Sequence, residues 1–411
     1  MPDEFRHNHY VPKWHQKRFV PAGQVDQELF YLDLKPGSFT DPRGVVHAKR
    51  NPRRQGFKFC FAERDLYTTT LSGIGPTEVE QQFFGNIDRE GRRAVEYFSN
   101  FAHPWDGTQL FQELTRYMST QKLRTPKGLS WLSQQAGTRD KNVVLRALIQ
   151  LQQIYSAIWA ECVWLIADAS ESQTKFIISD HPVTVYNRRC GPRSAWCRGD
   201  NDPDIRYHGT HTIFPLSLER ILILTNLSWV RDPYQSETIV RPNPNFFHET
   251  LMNILDVQTL RRLTEEEVRQ INFIIKSRAK RYVGAGREEW LYPELQVSKS
   301  DWHDYGHGYL FMPDPRAVMY STETIISFES GNHTFLDEYG RQPGQAGYSG
   351  SRRGVGRDWQ TFHRFQGEFA TLFGPRRRGR AFHQMRLDDE LDSEEYHQYH
   401  LSLFRPRRRG A

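Results

Sequence analysis

Lys175-Phe176-Ile177-Ile178-Ser179-Asp180-His181-Pro182-Val183 is where the chain changes its period. Before it, over 141–167, Leu, Ile and Ala recur at helical spacing, in a pattern apolar enough for a helix buried on most sides. From it onward, short runs rich in β-branched residues and bounded by Pro, Gly or Asn appear at 175–179, 183–186, 212–216 and 221–225, which is how short strands read. Helices followed by clustered strands predict an α+β fold, a helical core packed on a small mixed sheet. The same stretch runs an apolar strand into a carboxylate, an imidazole and a turn-forming proline, which is how a strand end presents chemistry.

Working outward, the segment from Pro76 places Val79, Phe83, Phe84, Ile87, Ala94, Val95 and Phe98 mostly at three-to-four-residue intervals, and 109–121 continues as a second helix. Pro12 can start a short helix carrying Trp14 and Phe19, and short strands are expected at 29–32 and near 56–61. On the C-terminal side Thr264 and Glu267 form a capping box for a further helix ending near Gly284. Beyond residue 296 the chain is rich in Gly, aromatic residues and Arg, and 340–356 reads as a linker. The expected organisation is a core domain over 1–295 carrying the site, and a partly flexible Gly/Arg-rich extension over 296–411.

The 411 residues exceed the usual size of one domain and suffice for a sizeable core. A mean hydropathy of −0.71 and the lack of any apolar run near ~20 residues exclude a membrane span. The start Met1-Pro2-Asp3-Glu4 lacks the charged and then apolar pattern of a secretory signal, and four cysteines without a CxxC pair fit a reducing, cytoplasmic compartment. Cys190 and Cys197, with His208 and His211 downstream, lack zinc-knuckle spacing and read as free thiols in a loop.

The net charge of +6 lies entirely in the tail, because residues 341–411 hold 14 Arg, no Lys and 8 acids. Arginine clusters at 352–357, 376–380 and 407–409 suit bidentate contact with phosphate, which makes nucleic acid the expected partner. The competing use is pairing with the acidic run at 388–395 or plain solvation.

Three segments set polar or ring-bearing residues against a proline, Arg6-His7-Asn8-His9-Tyr10-Val11-Pro12, Gln121-Lys122-Leu123-Arg124-Thr125-Pro126 and the opening stretch. His9 offers a proton carrier or ligand nitrogen. Asp180 can hold a metal, orient an imidazole or act as a base, or else cap nearby backbone as Asp does in turns. His181 faces the opposite side of the strand if the strand continues, and ranks below Asp180. Gln121 lies one helical turn before Arg124, and a carboxamide with a guanidinium suits a phosphate; the alternative is an Arg124–Asp180 ion pair between helix and sheet. Glu80, beside Val79 and one turn from Phe83 and Phe84, is the inward carboxylate of the first long helix, ahead of Asp88.

At these residues the chain resembles an uncharacterised domain family of unknown function, marked by His9-Tyr10-Val11-Pro12 with Trp14 and Phe19, by Gln121, Arg124, Thr125 and Pro126, and by Ser179, Asp180, Pro182 and Val183. Phe214-Pro215-Leu216-Ser217 and Asn272 also fit, the similarity covers roughly 5–285, and His15 stands where an apolar residue is expected. The resemblance implies a shared polar site and no particular reaction. It adds Ser179 and Asn272 to Gln121 and Arg124 as substrate-binding residues. The expected activity is a phosphate-directed hydrolase, a nuclease in type, with His9 as general acid/base and Asp180 and Glu80 holding a divalent metal or orienting His9. The other class of reading is a non-catalytic nucleic-acid-binding or interaction module in which these residues form a structural polar network.

Overall fold

The computed structural model describes residues 7–48, 51–67, 83–102, 108–240, 257–298, 302–306, 309–319, 323–337, 341–346, 348, 352–381 and 394–404. The N-terminal part contains β1 (His7–His9), the one-turn helix α1 (Lys13–Gln16), β2 (Glu28–Asp33), a hairpin of β3 (Ser38–Thr40) and β4 (Val46–Ala48), β5 (Arg53–Gly56) and β6 (Ala62–Arg64). A helical stretch follows with α2 (Gly85–Ser99), α3 (Thr108–Leu123), α4 (Pro126–Gln135), α5 (Lys141–Leu151) and α6 (Ser156–Ala160). Then come β7 (Cys162–Asp168), β8 (Ile178–Ser179), β9 (Thr184–Asn187), β10 (Thr210–Pro215), β11 (Arg220–Asn226), α7 (Leu227–Arg231), β12 (Val257–Arg262), α8 (Glu265–Arg278) and β13 (Tyr282–Ala285). The C-terminal part adds the hairpin β14 (Thr324–Ser327) and β15 (His333–Leu336), α9 (Arg352–Phe373), β16 (Arg380–Ala381) and α10 (Glu394–Phe404).

The fold is α+β. A six-stranded sheet has the order β16-β12-β7-β11-β10-β9 and is mixed, since β7 runs parallel to β12 and antiparallel to β11. A four-stranded sheet has the order β5-β2-β13-β8. The helical pattern read over 141–167 is corrected here: α5 stops at Leu151, a second short helix takes 156–160, and 162–168 is the strand β7. Residues 162–167 of β7 are all buried. Trp164 and Ile166 enter the core with Ile87, Phe98, Phe111 and Leu114 of α2 and α3, whereas Leu165 and Ala167 enter the core with Ile271, Ile274 and Ile275 of α8. A strand covered on both faces is apolar at every position, and periodicity cannot separate it from a buried helix.

The capping box at Thr264 forms as read: the Thr264 hydroxyl accepts from Glu267 N, and the Glu267 carboxylate accepts from Thr264 N. The helix ends at Arg278, before the strand that contains Gly284. Helices α2 and α3 meet closely because Gly91 lacks a side chain, and a Cβ built there would lie 2.3 Å from Tyr117 Cδ2. Gly91→Ala is therefore expected to lower stability by about 1–3 kcal/mol, the usual cost of overpacking, read as a lower urea midpoint at unchanged slope. An unshifted midpoint would show that the Tyr117 ring yields freely.

Residues past 296 contribute to the core. Phe362, Phe365 and Phe369 of α9 pack with Val163, Leu227 and Val230, and β16 extends the six-stranded sheet. Arg378 pairs with Glu267, which also takes Arg261, while Asp314 pairs with Arg316 and accepts from Arg378 N. Most of the expected linker 340–356 falls outside the described residues or inside α9.

Candidate functional site

The N-terminal motif is held by backbone contacts. His9 Nε2 lies 3.1 Å from the carbonyl oxygens of both Phe57 and Lys58, so the ring donates to backbone there. Gln121 donates from Nε2 to Tyr10 O at 2.6 Å and accepts through Oε1 from Arg124 Nε at 2.9 Å and Arg124 Nη2 at 2.6 Å. Arg124 Nη2 also reaches Asp88 Oδ1 at 2.7 Å, and the guanidinium sits 5.4 Å from the Phe84 ring centroid. Burial works against charge on Arg124, but Asp88 outweighs it and holds the guanidinium charged; burial pushes the Asp88 carboxyl above its usual value. The helix-to-sheet pair with Asp180 is not made, and Arg124 has Asp88 as its carboxylate.

Asp180 caps backbone. Its Oδ1 accepts from Lys280 N at 2.9 Å, and its Oδ2 accepts from Arg281 N at 2.7 Å and Tyr282 N at 2.9 Å. Burial pushes its carboxyl up, against the pull of these bonds. Ser179 Oγ accepts from His181 N at 3.2 Å. Asn272 bridges α8 to the segment leading into β8, accepting from Ile177 N at 3.2 Å and donating to Lys175 O at 2.8 Å. Glu80 and the side chain of His7 lie outside the described residues. The structure thus brings Gln121 and Arg124 to the N-terminal segment, while Asp180 and Asn272 each bind backbone elsewhere.

The ionisable groups that share an open cleft are different ones. Lys122, at the end of α3, and Lys127, in the first turn of α4, both reach Asp202, each at 2.6 Å and to separate oxygens. His181 Nε2 lies 2.9 Å from Asp202 Oδ2, and His181 Nδ1 lies 2.9 Å from Thr125 Oγ1. A carboxylate only accepts, so Nε2 carries the proton and Nδ1 accepts from the Thr125 hydroxyl. Thr125 Oγ1 in turn caps α4 by accepting from Gly128 N. The side chains of His181, Lys127, Lys122 and Asp202 are 2%, 7%, 8% and 9% exposed, so only their tips meet solvent. Desolvation, opposed by Asp202, lowers Lys122. Desolvation and Lys122 bring His181 down to about 3, so the ring is neutral. The two lysines and His181 hold Asp202 well below the usual carboxylate range despite its burial.

These groups floor a cleft of about 1690 Å³ between α3 to α6 and the loop 195–207. Trp131, Tyr155, Trp196 and Tyr207 supply aromatic surface on its walls, and Gln112, Gln150 and Gln153 supply carboxamides. Sequence reasoning passed over this floor. Its signals were present: two lysines flanking Arg124-Thr125-Pro126, and the acid-rich Asp200-Asn201-Asp202-Pro203-Asp204. Successive residues of a strand face opposite ways, and of this pair it is His181 that lines the cleft.

For a metal, the Asp202 oxygens are already taken by cationic and ring donors, and among the described residues no group of three or more His, Cys, Asp or Glu is placed to hold one. The four cysteines are free and buried, and burial pushes the Cys190 thiol up to about 12. In the arginine tail, Arg378 is spent on Glu267 and Arg377 lies 4.3 Å from the Tyr396 ring centroid, while Arg376 is exposed. Residues 407–409 lie outside the described residues. Among the described residues no helix is long and apolar enough to cross a membrane.

No curated protein and no solved structure matches the chain. A family model does match over 145–289, a stretch that runs from α5 to just past β13 and contains Ser179, Asp180, His181, Asp202 and Asn272. The family of that model is described as "Protein of unknown function (DUF4238)", and residues 145–289 are what is similar to it.

Proposed function

We propose that the chain is a binding module that takes a small ligand in the cleft above Lys122, Lys127, His181 and Asp202, with the motif residues serving as the polar framework of its walls. The observation that carries this reading is the division of labour in hydrogen bonding. Gln121, Arg124, Asp180 and Asn272 spend their polar atoms on backbone, on one another or on Asp88, whereas the buried cluster around Asp202 opens on a cleft of about 1690 Å³. Aromatic walls with convergent polar groups are the usual make-up of a small-molecule site. A nucleic-acid backbone asks for a continuous basic track, and here Glu90, Glu113, Asp200 and Asp204 interrupt the lining.

The test uses Trp131 and Trp196 as reporters. Adenosine monophosphate and adenosine are titrated into the protein, and intrinsic fluorescence is expected to change saturably with at least one, with the response weakened in Tyr155→Ala. In parallel, end-labelled RNA and DNA are expected to survive incubation with Mg²⁺ or Mn²⁺. A silent fluorescence signal with both compounds sinks the reading, and cleavage that is lost in a folded Asp180→Asn variant would replace it with the phosphate-directed hydrolase.

A further inference from the structure

The charges lining the cleft pair off, with one exception. Arg116 meets Glu90 at 3.2 Å, Arg206 meets Asp204 at 2.6 Å, Lys280 meets Asp200 at 2.9 Å, and Arg93 meets Glu113. At the floor two ammonium groups face the single carboxylate of Asp202 while His181 is neutral, which leaves one positive charge in excess. That excess is poorly solvated, because both lysine side chains are more than nine-tenths buried.

Lys122 also has N–H groups to spare. Its Nζ donates to Asp202 Oδ2 and lies 6.0 Å from the Tyr155 ring centroid, while His181 Nε2 at 3.3 Å is itself a donor and cannot accept. The N-terminus of α4, a helix of 10 residues, adds its positive end beside Lys127. Gly128 is required there, since a Cβ would lie 2.2 Å from Lys122 O, and its absence lets the end of α3 and the start of α4 share the floor.

Resting on the cleft reading above, we propose that the floor binds the oxyanion group of the ligand, a phosphoryl, sulfuryl or carboxylate group, through Lys122 and Lys127, and that binding places a proton on His181. The coupling follows from position. His181 faces Lys122 from α3, Lys127 from α4 and Asp202 from the loop, with the Thr125 hydroxyl on its other nitrogen. Burial is the first cause that keeps the ring neutral and the two lysines add to it, and an oxyanion between them cancels the lysines' part. The proton comes from solvent, goes to Nδ1, and is accepted by Thr125 Oγ1 after its hydroxyl turns away. A dianionic group, whose charge exceeds the single positive excess, benefits most from this added proton.

The probe is sulfate, which keeps its charge across the pH range used, titrated calorimetrically against sodium chloride of equal ionic strength. Sulfate is expected to bind at least threefold more tightly at pH 6 than at pH 8, with net proton uptake read from two buffers of different ionisation heat. Lys122→Gln and, separately, Lys127→Gln are expected to weaken binding tenfold or more, each leaving Asp202 one lysine partner. His181→Gln is expected to bind sulfate at pH 6 no more tightly than the parent does at pH 8, and to lose the pH dependence and proton uptake. Sulfate binding that is equal at both pH values, or unaffected by either lysine change, overturns the proposal. Adenosine that changes the fluorescence while sulfate fails to bind overturns the oxyanion floor and leaves the cleft reading standing, whereas failure of adenosine monophosphate, adenosine and sulfate alike removes both.

Discussion

Lowering the pH from 7 to 5 is expected to remove at least about 6 kcal/mol of folding stability, enough to bring a domain of ordinary stability close to unfolding. Three fully buried histidines carry the larger part, and His400, brought down to about 4 by burial, and His208, also lowered by burial, add to it. His15 sits between the Tyr117 hydroxyl and Pro215 O, each at 3.1 Å, His181 lies under the cleft, and His211 bonds Thr225 Oγ1 at 2.9 Å. Desolvation brings each down to about 3, from the 6.5 of an exposed imidazole. A depressed histidine means that the unfolded chain binds more protons, so stability is complete above about 6.5 and falls as the pH drops from there toward 3. At pH 5 the unfolded state gains about 2 kcal/mol per histidine, by the 1.36 kcal/mol per pH unit of linkage. Asp88 and Asp180, whose carboxyls are raised, act in the opposite direction, but only as the pH falls through their own range. Urea unfolding at pH 7.5, 6.0 and 5.0 measures the slope, and His211→Gln is expected to remove about 2 kcal/mol of the loss at pH 5. A flat profile between pH 7.5 and 5 would mean that these rings are not neutral in the fold.

His15 also shows how far the sequence can be read. It stands where an apolar residue is expected, and the structure gives it an apolar setting, stacked at 5.2 Å and 5.6 Å with Trp14 and Phe19. The local signals translated well: the box at Thr264 caps α8, Pro12 precedes α1, and the runs at 183–186, 212–216 and 221–225 lie almost wholly in strands, while of 175–179 only Ile178 and Ser179 do. These depend on neighbours a few residues apart. What depended on partners far away in the chain did not translate. β7 looked helical because α2 and α3 cover one of its faces and α8 the other, and nothing local reveals that. Arg124 found Asp88 instead of Asp180, although every residue involved was in view, because the choice is made by where α2 crosses α3. The Asp202 cluster draws Lys122, Lys127 and His181 from three separate segments, and only the fold assembles it.

Asp180→Asn is expected to cost about 3 kcal/mol or more, and the reason distinguishes a framework residue from a catalytic one. The carboxylate receives three consecutive backbone N–H groups, from Lys280, Arg281 and Tyr282, where α8 gives way to β13. Asparagine is nearly the same size, so packing is preserved, but its amide nitrogen is a donor and faces N–H groups that are donors too. Whichever way the amide turns, at least one buried N–H loses a charged acceptor, a loss of about 1.5–3 kcal/mol, and the other bonds weaken with the charge. The damage spreads because Asp180 N donates to Tyr282 O at 2.9 Å, tying the end of β8 to the edge where Val283 pairs with Ser179. A residue kept for chemistry behaves otherwise, since active-site groups are commonly held at some expense to stability and their conservative replacement leaves melting unchanged or raises it. The measurement is the urea midpoint of Asp180→Asn beside that of the parent at pH 7.5. A large drop places Asp180 in the frame that carries the cleft, and an unchanged or higher midpoint returns it to the site.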